Sequence, residues 1–111
     1  LNFLKTDISL LIENDQFVFV DITADWCATC QFNKINVLQT KIIKEAFEDN
    51  QIILVRADWT KPSKKIDNYL KKYNRFGIPF NAFFSSKYPN GLLLSEILSK
   101  KEILNTIEKI K

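Results

Sequence analysis

The chain predicts an α/β fold, a mixed four-stranded sheet with helices on both faces, and three observations carry that expectation. Apolar β-forming runs at 17–23 and 52–57 are each followed by segments of helical periodicity, so crossovers join these strands and make them parallel. The last two runs, Asn81 to Ser85 and Leu92 to Leu94, are separated by the turn residues Tyr88-Pro89-Asn90-Gly91, which predicts an antiparallel pair. With 111 residues, 46% apolar and 26% charged, the chain has the size and composition of one domain, 1–111, around a single core.

The elements follow in order. Leu4, Ile8, Leu11 and Ile12 recur at helical spacing and predict one short amphipathic helix ending near Asn14 and Asp15. Phe17 to Thr23 is apolar on both faces apart from Asp21, the pattern of a strand buried on both sides. A helix is expected to start at or beside Cys27, with Phe32 and Ile35 toward the core. Its phase is lost around Val37 to Gln39, which predicts a break, and Thr40 is placed to cap a further segment carrying Ile42, Ile43, Ala46 and Phe47. Ile52 to Ala57 is the second strand, and Ser63 caps a helix with Ile66, Tyr69, Leu70 and Tyr73 on one face. Ser99-Lys100-Lys101-Glu102 reads as a capping box that opens a last helix with Ile103, Leu104, Ile107 and Ile110 inward.

Composition narrows the function classes. Sixteen basic against 13 acidic side chains leave a net charge of +3, with the lysines spread over the helices and no basic stripe interleaved with aromatics, so nucleic acid is not an expected partner. The longest apolar runs, Phe17 to Ala24 and Ile52 to Val55, fall far short of the roughly 20 residues that span a bilayer. Because it opens at Leu1 and contains no Met, the chain is expected to be a processed product or a domain excised from a longer protein.

The only two cysteines, Cys27 and Cys30, stand three apart behind Trp26, at a strand-to-helix junction. Random placement gives that spacing in about 2 cases in 100. A zinc site needs four ligands, and with two Cys and no His this chain does not supply them; Cu(I) on two thiolates, a structural staple and inert core thiols are weaker readings. A redox pair explains more. A sulfur at a helix start meets free backbone N–H groups and the positive end of the macrodipole, so Cys27 is the expected nucleophile. Cys30, one turn further in, is expected to be more buried, to keep its proton and to resolve a mixed disulfide.

Asp21 lies six residues before Cys27 between Val20 and Ile22. If buried, its pKa is raised and it can exchange a proton with Cys30; the alternative is a solvated acid at a strand end. Asp25 reads as a solvated loop acid. Trp26 on the redox reading packs beside the reactive sulfur and shapes a docking surface, while by itself it is equally a core or loop aromatic. Ile78-Pro79 precedes a strand, a place where a cis proline is a recurring feature, although spacing alone does not assign one.

Asp21, Trp26, Cys27, Cys30 and Gly77-Ile78-Pro79, in this element order, resemble the thioredoxin superfamily over nearly the whole chain. Val18 to Cys27, then Cys30, Asn33, Ala57-Asp58-Trp59-Thr60, Arg75 to Pro79 and Glu96-Ile97-Leu98 are similar to the C-terminal periplasmic thioredoxin-like domain of DsbD-type transmembrane thiol–disulfide interchange proteins. The resemblance implies a thioredoxin fold, a cis Pro79 beside the sulfurs, and a backbone there that pairs with an extended client segment. It also implies a periplasmic domain, tethered to the inner membrane through its parent. That domain takes electrons from a transmembrane partner domain and reduces protein disulfides, including those of disulfide isomerases and cytochrome c maturation factors.

Two departures stand out. Lys34 occupies a position where many relatives carry an acid, so Lys34→Glu is expected to raise the Cys27 pKa if the lysine approaches the site. The intervening Ala28-Thr29 supplies no cation to favour the thiolate, which suits a reducing or intermediate potential. The resulting expectation is a monomeric protein-disulfide reductase, free of bound cofactor and metal, with Cys27, Cys30 and Asp21 catalytic and Trp26, Ile78 and Pro79 at the docking surface. A free-standing thioredoxin-like reductase or oxidase is the alternative, with a Cu(I)-binding or non-catalytic interaction module behind it.

Overall fold

The computed structural model describes residues 1–111. Its centre is β1 (Phe17–Thr23), which pairs in parallel with β2 (Ile52–Asp58) on one side and antiparallel with β3 (Phe80–Phe84) on the other. A short β4 (Leu92–Leu93) pairs antiparallel with β3 and completes a four-stranded sheet in the order β2-β1-β3-β4. This is the mixed sheet that the element order predicts.

Alternation along the strands builds two cores. Val18, Val20 and Ile22 face one side with Val55, Ala57, Phe80, Ala82 and Phe84. There they meet Ile12 of α1 (Ile8–Glu13) and Ile66 and Leu70 of α4 (Lys64–Lys72). Phe19 and Phe83 face the other side, where Ile43 of α3 (Lys41–Asp49) and Ile103, Ile107 and Ile110 of α5 (Lys100–Ile110) close over them. Helices therefore cover both faces, and Asp21, two residues beyond Phe19, belongs to the α3/α5 side.

Four local expectations are corrected. The first is the single N-terminal helix, which two polar side chains divide. Asn2 accepts from the Leu4 N–H to hold a 3₁₀ turn at Phe3–Lys5, and Asp7 accepts from the Leu10 N–H to begin α1 afresh, leaving Leu4 exposed. Second, Phe32 and Ile35 are exposed instead of facing the core. The helix after Cys27, α2 (Ala28–Asn33), runs into a π-helical turn at Lys34–Leu38, in which the Gln39 N–H reaches the Lys34 carbonyl. The inward stripe is Cys30, Asn33 and Val37, and the wide turn is the loss of phase seen in the sequence.

Third, Thr40 precedes α3 but its hydroxyl donates backward to the Val37 carbonyl and caps nothing, while Ile42 is half exposed. Fourth, only half of the capping box forms. Ser99 Oγ accepts from the Glu102 N–H, but the Glu102 carboxylate turns to the N–H and hydroxyl of Ser95.

The β3–β4 connection depends on Gly91, whose φ of +84° is strained for any side chain and whose added Cβ would stand 2.5 Å from the ring of buried Phe84. Gly91→Ala is expected to lower unfolding free energy by about 1–3 kcal/mol. Urea denaturation measures it, and an unchanged midpoint would show that the turn and the Phe84 ring shift without cost.

Candidate active site

The site forms where β1 ends. Thr23 is the last strand residue, Ala24 to Trp26 make a short connection, and Cys27 is the N-cap of α2. Cys27 and Cys30 are joined as a disulfide. Cys27 Sγ accepts a 3.2 Å hydrogen bond from the Cys30 N–H, so one of the free amides of the first helical turn points at the sulfur expected to carry the thiolate. The expected difference in burial is not present, because Cys27 and Cys30 are 6% and 5% exposed. Both sulfurs sit in a small apolar cluster with Ala24 and Ile78. The Ile78–Pro79 peptide is cis and leads directly into β3.

Asp21 is buried, at 7% exposure, which removes the reading of a solvated strand end. Strand register gives it two neighbours on the same row, Arg56 across the parallel pair and Asn81 across the antiparallel pair. Arg56 Nε donates to Asp21 Oδ2 at 3.3 Å and Asn81 Nδ2 donates to Oδ1 at 2.9 Å. Burial pushes the Asp21 carboxyl above its ordinary range and outweighs the opposing pull of the Asn81 amide, the Arg56 guanidinium and the Lys34 ammonium. Lys34 lines a cavity of about 120 Å³ together with Asp21, Arg56 and Gln31, so its charge bears on the acid.

Trp26 immediately precedes Cys27 on the surface. Its indole N–H donates to the Thr60 carbonyl at 3.2 Å, and its ring leans on Trp59 with centroids 6.3 Å apart, leaving it largely exposed. Thr60 is also the acceptor for the Asp25 N–H, while Asp58 accepts from both the N–H and the hydroxyl of Thr60 and its pKa is lowered by those bonds. The loop after β2 thereby holds the residues that precede Cys27. Asp25 is exposed, as its loop position suggests.

Sequence reading placed Arg56 and Asn81 in strands and named Asn33 and Thr60 in the resemblance, but gave none of the four a part in the site. Asn33 is buried on α2, donates to the Glu96 carbonyl at 2.8 Å and accepts from the Leu98 N–H at 3.0 Å, tying the loop before α5 to the disulfide helix. The signals were polar residues inside otherwise apolar stretches, Asn81 within Phe80–Phe84 above all.

A cystine of this kind is a two-electron couple that opens when a thiolate attacks one sulfur, so the centre is built for thiol–disulfide exchange. The buried Asp21 has a consequence for stability. Its pKa is raised in the folded state, so its contribution is full below the unfolded value near 3.8 and is lost as pH rises through the folded value. Asp21→Asn is therefore expected to make the disulfide form more stable than the native protein at pH 7, with the difference closing toward pH 4. Urea unfolding at the two pH values measures this, and a variant less stable at pH 7 would mean that Arg56 and Asn81 more than offset the burial.

The fold agrees with comparisons to known proteins. The C-terminal domain of DsbD from Neisseria meningitidis in its oxidised form superposes with a TM-score of 0.76 at 20% identity, covering 97% of this chain and 93% of that one. A thioredoxin from Thermus thermophilus gives 0.69 at 17% identity, covering 93% and 79%. Among curated sequences, the thiol:disulfide interchange protein DsbD of Pasteurella multocida is 22% identical over 99 residues, 87% of this chain and 17% of that protein. DsbD of Yersinia pestis is 32% identical over 71 residues, 63% of this chain and 11% of that protein. The chain thus spans a sixth or less of the length of these relatives. Residues 2–86 match the thioredoxin-like family profile, and with the sheet order, the Cys27–Cys30 disulfide and the cis Pro79 in place, the chain belongs to the thioredoxin-like family.

Proposed function

We propose that this chain is the electron-delivering domain of a longer, membrane-tethered thiol–disulfide interchange protein, working in the periplasm on disulfides of other proteins. The observation that carries the reading is the disulfide at the start of α2, packed with Ile78 of the cis Ile78–Pro79 bond, with an acid, Asp21, buried in the strand that leads to it. Its likeness to much longer DsbD proteins supports the tether, the transmembrane donor domain and the direction of flow.

In the proposed cycle the reduced pair meets a client disulfide. The Cys27 thiolate attacks one client sulfur, the S–S bond of the client breaks, and its second sulfur leaves as a thiolate. Asp21, as carboxylate, takes the proton of Cys30. The Cys30 thiolate then attacks Cys27 Sγ, expelling the first client sulfur and closing the Cys27–Cys30 disulfide. Two electrons have moved to the client, and Asp21 holds the proton. The dithiol of the donor domain reverses these steps, with protonated Asp21 returning the proton to Cys30 as it leaves. Trp26, Ile78 and Pro79 form the surface against which the client chain lies, and the backbone at Pro79 offers it strand-like pairing.

The reading separates experimentally from an oxidase and from a binding module. Cys27→Ser is expected to reduce catalysed reduction of a protein disulfide to the background rate, while Cys30→Ser is expected to accumulate a mixed disulfide through Cys27. Turnover that survives Cys27→Ser would remove the proposed chemistry. Equilibration in defined thiol–disulfide buffers is expected to give a potential near about −270 mV, in the range of reducing thioredoxins. A value near about −120 mV, that of strong oxidants, would reverse the direction of electron flow.

A further inference from the structure

The row Arg56–Asp21–Asn81 contains one member whose chemistry differs from that of a counter-ion. Asn81 is buried, at 4% exposure, in the middle of β3, where every other residue from Phe80 to Phe84 is apolar. A strand of this kind excludes a polar side chain unless its hydrogen bonds are met, and Asn81 Nδ2 meets one on Asp21 Oδ1 at 2.9 Å. Its backbone carbonyl accepts from the Leu94 N–H, which fixes β3 beside the segment leading to α5. The strand register pins the two side chains on one face of the sheet, opposite each other.

We propose that Asn81 is a positioning residue for the exchange reaction, its amide holding the Asp21 carboxyl beneath the disulfide helix in a state able both to take and to give a proton. The proposal rests on the proton-transfer role of Asp21 set out above. A second cation in place of the amide would fix Asp21 as a carboxylate and stop it from returning a proton. An apolar residue there would leave Oδ1 buried without a donor and hold Asp21 in its acid form. An amide supports both states, donating through Nδ2 to the carboxylate and, after rotation about its last torsion, accepting through Oδ1 from the acid.

The other groups facing Asp21 are accounted for. Arg56 from β2 donates to Oδ2 and stands partly in solvent. Lys34 from the π-helical turn shares the cavity, and Asp25 and Asp58 line the same space without a hydrogen bond to Asp21. Asn81 is the donor on Oδ1, so removing its amide leaves that oxygen bare.

The test uses the disulfide form of the whole chain and its reduced form in turnover. The Asp21 carboxyl is titrated by ¹³C NMR, and the pH dependence of mixed-disulfide resolution is followed in parallel. Asn81→Leu is expected to move both midpoints upward by about one pH unit, the differential worth of a hydrogen bond to a charged group. In an Asp21→Asn background the same substitution is expected to leave the pH profile unmoved, a result that a purely structural role for Asn81 does not produce. Asn81→Val, smaller and suited to a strand, has the same expected direction and serves if the leucine variant fails to fold. An Asp21 midpoint that stays put in a folded Asn81 variant overturns the proposal. A midpoint that moves while Asp21→Asn alone keeps the native pH profile instead overturns the role of Asp21 in exchange, and with it the part of Asn81 in the reaction.

Discussion

A single carboxylate buried in the central strand is the constraint on which the site depends. Asp21 lies on a strand paired on both sides, so it has no route to solvent along the sheet edge, and its partners must come from the neighbouring strands at its own register. Desolvating a carboxylate costs several kcal/mol, whereas each hydrogen bond to a charged group returns about 1.5–3 kcal/mol. Two such bonds, one of them from a half-solvated arginine, do not outweigh that burial, and the carboxyl's pKa stays above its ordinary range. The carboxyl is thus both desolvated and hydrogen-bonded, through Asn81 on one oxygen and Arg56 on the other.

The same face explains the helix above it. Cys30, Asn33 and Val37 stand three and four residues apart and form the inward stripe, Phe32 and Ile35 fall outside it, and Lys34, where the π-helical turn begins, lines the cavity beside Asp21. Asn33 stabilises that arrangement by binding backbone on both sides of Ile97, and the helix carrying the disulfide is thereby fixed to the loop before α5. The loop holding Thr60 does the same on the opposite flank, through the Asp25 amide and the Trp26 indole. The cystine is thus held between two anchored segments.

Element order and the thiol pair were legible because each has a local signature, a period of two or of about 3.6 for the elements and a spacing of three for the cysteines. Parallel and antiparallel pairing followed from the kind of connection, a helical crossover or a turn, while the order β2-β1-β3-β4 did not. Polar contacts between distant segments were not legible, since Asp21, Arg56 and Asn81 meet only through register, and nothing local says which residues share a row. Phe32 and Ile35 misled for a related reason. Periodicity assumes that apolar residues face inward, but here the inward stripe carries Asn33, whose amide is satisfied by a loop sixty residues away in sequence. The Trp26 indole N–H bond to the Thr60 carbonyl, across 34 residues, was likewise invisible to local pattern.

Other exposed apolar residues, Phe76 and Ile97, bear on how a client is held in the proposed cycle. Both sulfurs are nearly as buried as the core and pack beside Ile78, so in the proposed cycle the client has to be held by contacts beyond the sulfur itself. Phe76, two residues before Ile78, is 81% exposed, and Ile97, held out between the two backbone groups that Asn33 binds, is 66% exposed. Covering one such side chain is worth about 1.5–3 kcal/mol, so two or three of them give a contact that is specific in place and weak in strength. Weakness is required here. A domain that must accept electrons from one partner and deliver them to another on every turn gains nothing from a tight complex, because dissociation would then limit the exchange. The disulfide bond that forms transiently through Cys27 supplies the strong link during the chemical step, and its resolution by Cys30 removes that link together with the electrons.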